Sequence, residues 1–180
     1  MSTRSYADSE LEQRRIAALA QVRQLGDPAL RTPALPVTEF DETLRNEIAR
    51  MKAIMADARG VGLAAPQIGA LRRLVVVLPG EDAEPRALVN PRISWASEEQ
   101  ETDIEGCLSI GEIIVEVPRA VSIRVEAHDA DGTAITHEAS GFEARVIQHE
   151  IDHLDGILIL DRTTKEQRRE ALRALRDAAS

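Results

Sequence analysis

The stretch Gln148-His149-Glu150-Ile151-Asp152-His153 sets two histidines four positions apart, with a glutamate directly after the first. On a helix, positions four apart share a face about one turn along, so both imidazoles can aim at one ion. Zinc held this way lies about 2.0–2.1 Å from each ring nitrogen. Glu150 can then reach a water on the ion without ligating the ion itself, which is where a general base belongs. Two ordinary core histidines beside an exposed Glu and Asp are the bland alternative, and the H-E-x-x-H spacing alone does not separate them. His128 and His137 stand in strand-like runs without ligand spacing and read as ordinary strand residues.

Two protein ligands rarely hold a catalytic metal, so a third must be found. Downstream of His153 there is no histidine, only Glu166 and Glu170 in a stretch that reads as an exposed helix. With either as third ligand, the chain would be an H-E-x-x-H peptidase. Upstream, "EGCLS" holds Cys107, the single cysteine of the chain. A lone cysteine is commonly a small inert hydrophobe. Set beside two histidines it becomes a thiolate ligand at about 2.3 Å and leaves a fourth tetrahedral position open to water. Such a donor set suits iron(II), zinc, nickel or cobalt.

A third stretch, "GVGLAAPQIG" from Gly60 to Gly69, follows a helical pattern and precedes a strand-like one. That order is the reverse of a phosphate-binding fingerprint. Its small residues let a ligand or another chain approach the backbone, and Gln67 adds a neutral amide donor. A tight turn packed on the core is the alternative.

These segments need elements to position them. Ser9 as cap and Leu11, Ile16, Leu19 and Val22 at helical spacing predict a helix over 9–25, stopped by Gly26-Asp27-Pro28. "LRTPALPV" is too proline-rich for a regular element. A second helix is expected over 41–58, with Leu44, Ile48, Met51 and Met55 on one face. "RLVVVL", "RALVN", "EIIVEV", "VSIRVEAH" and "TAITHEA" read as strands, and "DADGT" at 129–133 as a hairpin between two of them. The motif itself falls on a helix over 141–154. "GILIL" reads as a buried strand or as a tail of that helix. A last amphipathic helix over 164–178 carries a stripe of Lys165, Arg169, Arg173 and Arg176, with Ala171, Leu172, Ala174 and Leu175 as its apolar side. Glu98, Glu99, Glu101 and Asp103 read as a solvated loop, and Glu105 is expected to pair with Arg145. The sum is one compact α+β domain over 1–180, with mixed or antiparallel sheets around a central motif-bearing helix.

Composition narrows the function. A chain of 180 residues suits one domain with a real core, and 43% hydrophobic with 29% charged residues is a globular balance. A net charge of −9 and few aromatics disfavour broad nucleic-acid binding, so DNA is not an expected partner. The first residues lack the apolar core of a signal peptide, and no run approaches the ~18 residues that span a bilayer. One cysteine allows no internal disulfide; a cytoplasmic protein without membrane contact is expected.

Taken in order, "GVGLAAPQ", "EGCLS" and "QHEIDH" resemble the peptide deformylase family, as do "GDPALRTPALPV", "LVNPRI", "VPRA" and "GFEARVIQHEIDHLDGIL", so about 150 residues take part. The resemblance implies a metal-dependent hydrolase that removes the formyl group from the N-terminal formylmethionine of nascent proteins and releases formate. It implies Cys107, His149 and His153 as metal ligands, and Glu150 as general base and then acid toward a metal-bound water. Gln67, through its side-chain amide, and Leu108, through its backbone N–H, would stabilise the oxyanion. Val61 and Gly62 would offer backbone groups to the peptide, and Phe142 and Val146 would line the methionine pocket. The family favours iron(II) among the ions above. It also places the protein beside the ribosome, which the basic stripe of the last helix would touch. Relatives commonly carry a proline after the cysteine motif and an arginine a few residues on; Gly111 and Ile114 stand there instead. Two readings outside this assignment are the H-E-x-x-H peptidase and a non-catalytic binder of formylated N-termini.

Overall fold

The structure is a computed structural model that describes residues 3–80 and 83–178. Helix α1 spans Thr3–Leu19 and α2 spans Glu42–Asp57. Strands β1 (Gly62–Ala64), β2 (Leu74–Val77), β3 (Arg86–Ala96), β4 (Gln100–Gly106), β5 (Ile114–Ala120), β6 (Ser122–His128) and β7 (Ala134–Ser140) follow. The chain then forms α3 (Gly141–Leu154), the short α4 (Ile159–Arg162) and α5 (Lys165–Ala178). One sheet has the order β1-β2-β3-β6-β7, and β4 and β5 form a separate ribbon. Every pairing between named strands is antiparallel; one isolated parallel bridge joins Leu35 to Arg72. This is the expected α+β class.

The continuous apolar run Leu74-Val75-Val76-Val77 is buried on both faces of the sheet. Leu74 and Val76 pack with Leu44, Met51, Met55 and Leu63 on the α2 side. Val75 and Val77 pack with Ala144, Ile147, Ile151 and Leu154 of α3 on the other. Alternation along a strand thus lets four residues join two cores. A third cluster, with Cys107, Val115, Val117, Leu158 and Leu160, fills the space under the β4–β5 ribbon. Helix α3 therefore lies between the sheet and the ribbon, as expected of the motif-bearing element.

Helix α2 holds the expected bounds, with the Asp41 side chain accepting the Leu44 N–H at 2.9 Å. Helix α1 does not. Ser9 lies inside it rather than at its cap, Leu11 and Ile16 are exposed, and the helix ends at Leu19. The reason is tertiary: Arg23 N–H bonds to Gln67 O at 2.6 Å and Leu25 N–H to Ser109 O at 2.9 Å, which requires an extended chain there. Two strands were hidden in the sequence. β1 lies within the glycine-rich stretch, and β4 occupies the acidic run read as a loop, held in register by β5 from Gln100↔Ala120 to Gly106↔Ile114. The run "GILIL" is neither a strand nor a continuation of α3, because Gly156 at φ +73 breaks the chain before α4.

Gly156 also closes the end of α3 against the loop before α2. A Cβ built there would lie 2.7 Å from the Arg31 carbonyl oxygen, in a backbone conformation that L side chains rarely adopt. Gly156→Ala is expected to lower stability by about 1–3 kcal/mol, seen as a reduced urea midpoint at unchanged slope.

Candidate metal centre and substrate cleft

Helix α3 brings His149 and Glu150 to the lining of a cleft of about 340 Å³, and its next turn carries the buried His153. Cys107 approaches from the end of β4, just before a 3-10 turn over Leu108–Ile110. One donor atom each from Cys107, His149 and His153 lies within 4.8 Å of the other two, and Sγ stands 3.3 Å from His153 Nε2. Ligands of a tetrahedral ion at about 2.1 and 2.3 Å are separated by roughly 3.6 Å, so these three fit one cation with little rearrangement. Glu166 and Glu170 are exposed on α5 and outside this cluster, which leaves the peptidase ligand set without support.

The bland alternative of core histidines with exposed acids does not hold, since Glu150, Asp152 and His153 are all buried. Four buried side-chain polar atoms among the described residues lack a hydrogen-bond partner; Glu150 Oε2 and His153 Nδ1 are two of them. Burial pushes the Glu150 carboxyl up to about 7, with the nearby Glu105 and Asp152 charges adding to the effect and His149 and Arg119 opposing it. Gly62 is pressed against this carboxylate so closely that a Cβ would overlap it. The glycine therefore makes room for Glu150, a reason for its identity that the sequence did not disclose.

Glu105 organises the other side of α3. It accepts hydrogen bonds from Arg119 Nε and Nη2 and from Arg145 Nη1, each at 2.9 Å, and its Oε2 lies 2.9 Å from His149 Nδ1. Its expected pairing with Arg145 is thus present. With Nδ1 engaged, His149 has Nε2 left for a metal, the usual way a carboxylate orients a liganding imidazole. Burial works against the Glu105 charge, yet the bonds from His149 and Arg119 prevail and hold its carboxyl at about 2. At His149, burial is outweighed by Cys107 and Glu105 and the pKa rises; at His153, burial prevails and it falls. Arg119 reaches onward to Asp152 at 2.5 Å, and Asp152 accepts from Arg162 of α4 at 2.5 and 3.0 Å. Sequence reasoning missed Asp152, Arg119 and Arg162 as a network, because nothing in their spacing announces burial.

Gln67 sits in a 3-10 turn directly after β1 and is 2% exposed. Its Oε1 accepts the Ala64 N–H at 2.9 Å, which turns Nε2 toward Ser109 Oγ at 3.1 Å and Cys107 Sγ at 3.7 Å. Leu108 opens its 3-10 turn, so its N–H has no acceptor within that turn. Val61, Gly62, Phe142 and Val146 all line the cleft. Val61 and Gly62 differ in one respect. The Val61 carbonyl accepts the Leu78 N–H at 2.8 Å, whereas Gly62, next along an edge strand, turns its backbone groups to the unpaired side. Gly111 also lines the cleft, and Ile114 is exposed at the start of β5.

A helix-borne His-Glu pair meeting a cysteine sulfur in an open cleft is the arrangement of a mononuclear metal hydrolase. Residues 19–169 match the family described as polypeptide deformylase. A peptide deformylase of Thermotoga neapolitana is 45% identical over 159 residues, covering 88% of this chain and 96% of its own. The solved peptide deformylase of Thermotoga maritima superposes with a TM-score of 0.77 at 46% identity, covering 79% of this chain and 96% of that one. A Synechococcus elongatus peptide deformylase, solved in complex with actinonin, gives 0.81 at 40% identity with 85% of each chain covered. The chain belongs to the polypeptide deformylase family. Members are metal-dependent hydrolases that remove the formyl group from an N-terminal methionine, and this protein is one of those enzymes.

Removing Arg119 would leave Glu105 and Asp152 buried without their shared cation. Arg119→Ala is expected to cost about 3–5 kcal/mol of stability, measured by urea unfolding.

Proposed function

We propose that Cys107, His149 and His153 hold one divalent cation, natively iron(II), and that Glu150 moves the proton in hydrolysis of formyl-methionyl N-termini of nascent peptides. When bound, the cation lowers the pKa of a coordinated water and polarises the formyl oxygen. The observation that carries the reading is the convergence of three donor atoms beside a buried carboxylate whose Oε2 is unpartnered. Glu150 takes the proton as the nucleophile attacks the formyl carbon, and returns it to the amine that leaves with the peptide. Formate is the other product. Negative charge develops on the formyl oxygen, and Gln67 Nε2 with the Leu108 N–H are the donors assigned to it. The hold on Gln67 Oε1 by Ala64 N–H supports that role, since it fixes which end of the amide faces the cleft.

The peptide is assigned to the free edge of β1. An extended chain laid there would pair with the Gly62 backbone as an added strand, while Val61 contributes its exposed side chain. Phe142 and Val146, one turn apart on α3, are assigned to the methionine side chain. A reducing compartment, the cytoplasm, suits a ligand that must stay a thiolate.

Helix α5 is proposed to touch ribosomal RNA through Lys165, Arg169, Arg173 and Arg176. With Arg168 and Leu172 these line one surface, while Ala171 and Leu175 pack inward; Leu172 and Ala174, expected on the apolar side, are exposed. No helix among the described residues is long and apolar enough to cross a membrane.

Protein purified without oxygen should contain one iron per chain by elemental analysis and release formate from formyl-Met peptides. Zinc, nickel or cobalt in its place would overturn the assignment of the ion. Glu150→Gln should lower kcat by about 10²–10⁴ and Gln67→Leu by about 10²–10³, both with metal content retained. Reversing the charges of Lys165, Arg169 and Arg173 should abolish co-sedimentation with ribosomes; undiminished pelleting would refute the contact.

A further inference from the structure

Arg59 occupies an unusual position just past α2. Its N–H bonds to Ala56 O at 3.0 Å, and the Gly60 N–H bonds to Met55 O at 2.8 Å. Together these form a Schellman closure, in which the residue at the left-handed position is usually glycine. Here that residue is an arginine at φ +57. Local backbone preference would select against any side chain at this point, so the side chain needs a reason of its own.

The cleft supplies one. Arg59 lines it beside Val61, Ile104 and Phe142, which are exposed and apolar. The other charged residues of the lining are Glu105, Arg145 and Glu150, all buried, and the first two bond to each other. Among the described residues, Arg59 is thus the single exposed charged side chain on the lining. Its guanidinium makes no hydrogen bond or ion pair with any described residue. The nearest acid in sequence, Asp57, is already paired with Arg14 at 2.6 Å. An exposed guanidinium on an otherwise apolar rim is a preformed partner for a carboxylate arriving with the substrate.

We propose that Arg59 is a specificity residue, favouring peptides that carry Asp or Glu among the first residues after the formyl-methionine. This rests on the deformylase reading above. The net charge of −9 acts on every acidic peptide at long range, whereas Arg59 acts only on one lying in the cleft, so the two contributions separate on mutation.

The test measures kcat/KM for formyl-Met-Glu-Glu amide and formyl-Met-Lys-Lys amide with wild type, Arg59→Gly and Arg59→Glu at low salt. Glycine is the residue the turn prefers, so the first variant should fold. The acidic-to-basic ratio should fall about two- to fivefold in Arg59→Gly, the range of an exposed ion pair, and further in Arg59→Glu. Adding salt should shrink these differences. A ratio identical in all three proteins would overturn the proposal, as would an equal loss on both peptides. A metal-loaded wild type inert toward both peptides would instead sink the functional reading, and this proposal with it.

Discussion

A carboxylate with almost no water around it, Glu105, holds the centre together. It faces His149 on one side and Arg119 and Arg145 on the other, and 6% of its surface is exposed. A buried charge is tolerable only when it is surrounded by donors, and here the donors come from β5 and α3. The same group thereby orients the His149 imidazole and sutures the ribbon to the helix. Through Arg119, Asp152 and Arg162 the chain of charges continues to α4. Orientation of the imidazole and attachment of the ribbon that delivers Cys107 are consequences of one desolvated anion.

The second constraint is reach. The three donor atoms come from two elements separated by more than forty residues, and Gln67 comes from a third. Two backbone bonds from the N-terminal segment, Arg23 to Gln67 and Leu25 to Ser109, tie the loops bearing the amide and the Cys107 sulfur to a common support. The extended stretch after α1 therefore acts on the centre at a distance, and this is why the helix stops earlier than its apolar spacing implies.

Much of this was legible because the chemistry is concentrated in short runs. His149, Glu150, His153 and Cys107 declare themselves by residue type, α2 and α5 by helical period, and α3 by the spacing of the motif it carries. β2, β5, β6 and β7 announce themselves through β-branched residues. What escaped was set by contacts distant in sequence. β4 is acidic and looks like a loop, since only pairing with β5 and the burial of Glu105 make it a strand. β1 is a three-residue strand inside a small-residue run, too brief for alternation to appear. The burial of Asp152 depends on Arg119 and Arg162, neither of which a helical wheel can locate. Leu11 and Ile16 had the spacing of a core face but are exposed, because α1 lies at the periphery.

The brevity of β1 has an effect of its own. A bare sheet margin is an invitation to self-association, and proteins ordinarily shield or shorten such margins. Here three residues, followed at once by the Ala65–Ile68 turn with Pro66, give a foreign main chain a brief landing but no room to propagate a ladder. Three residues suffice to pair with a short extended segment, yet they offer little rail for another folded copy to grip.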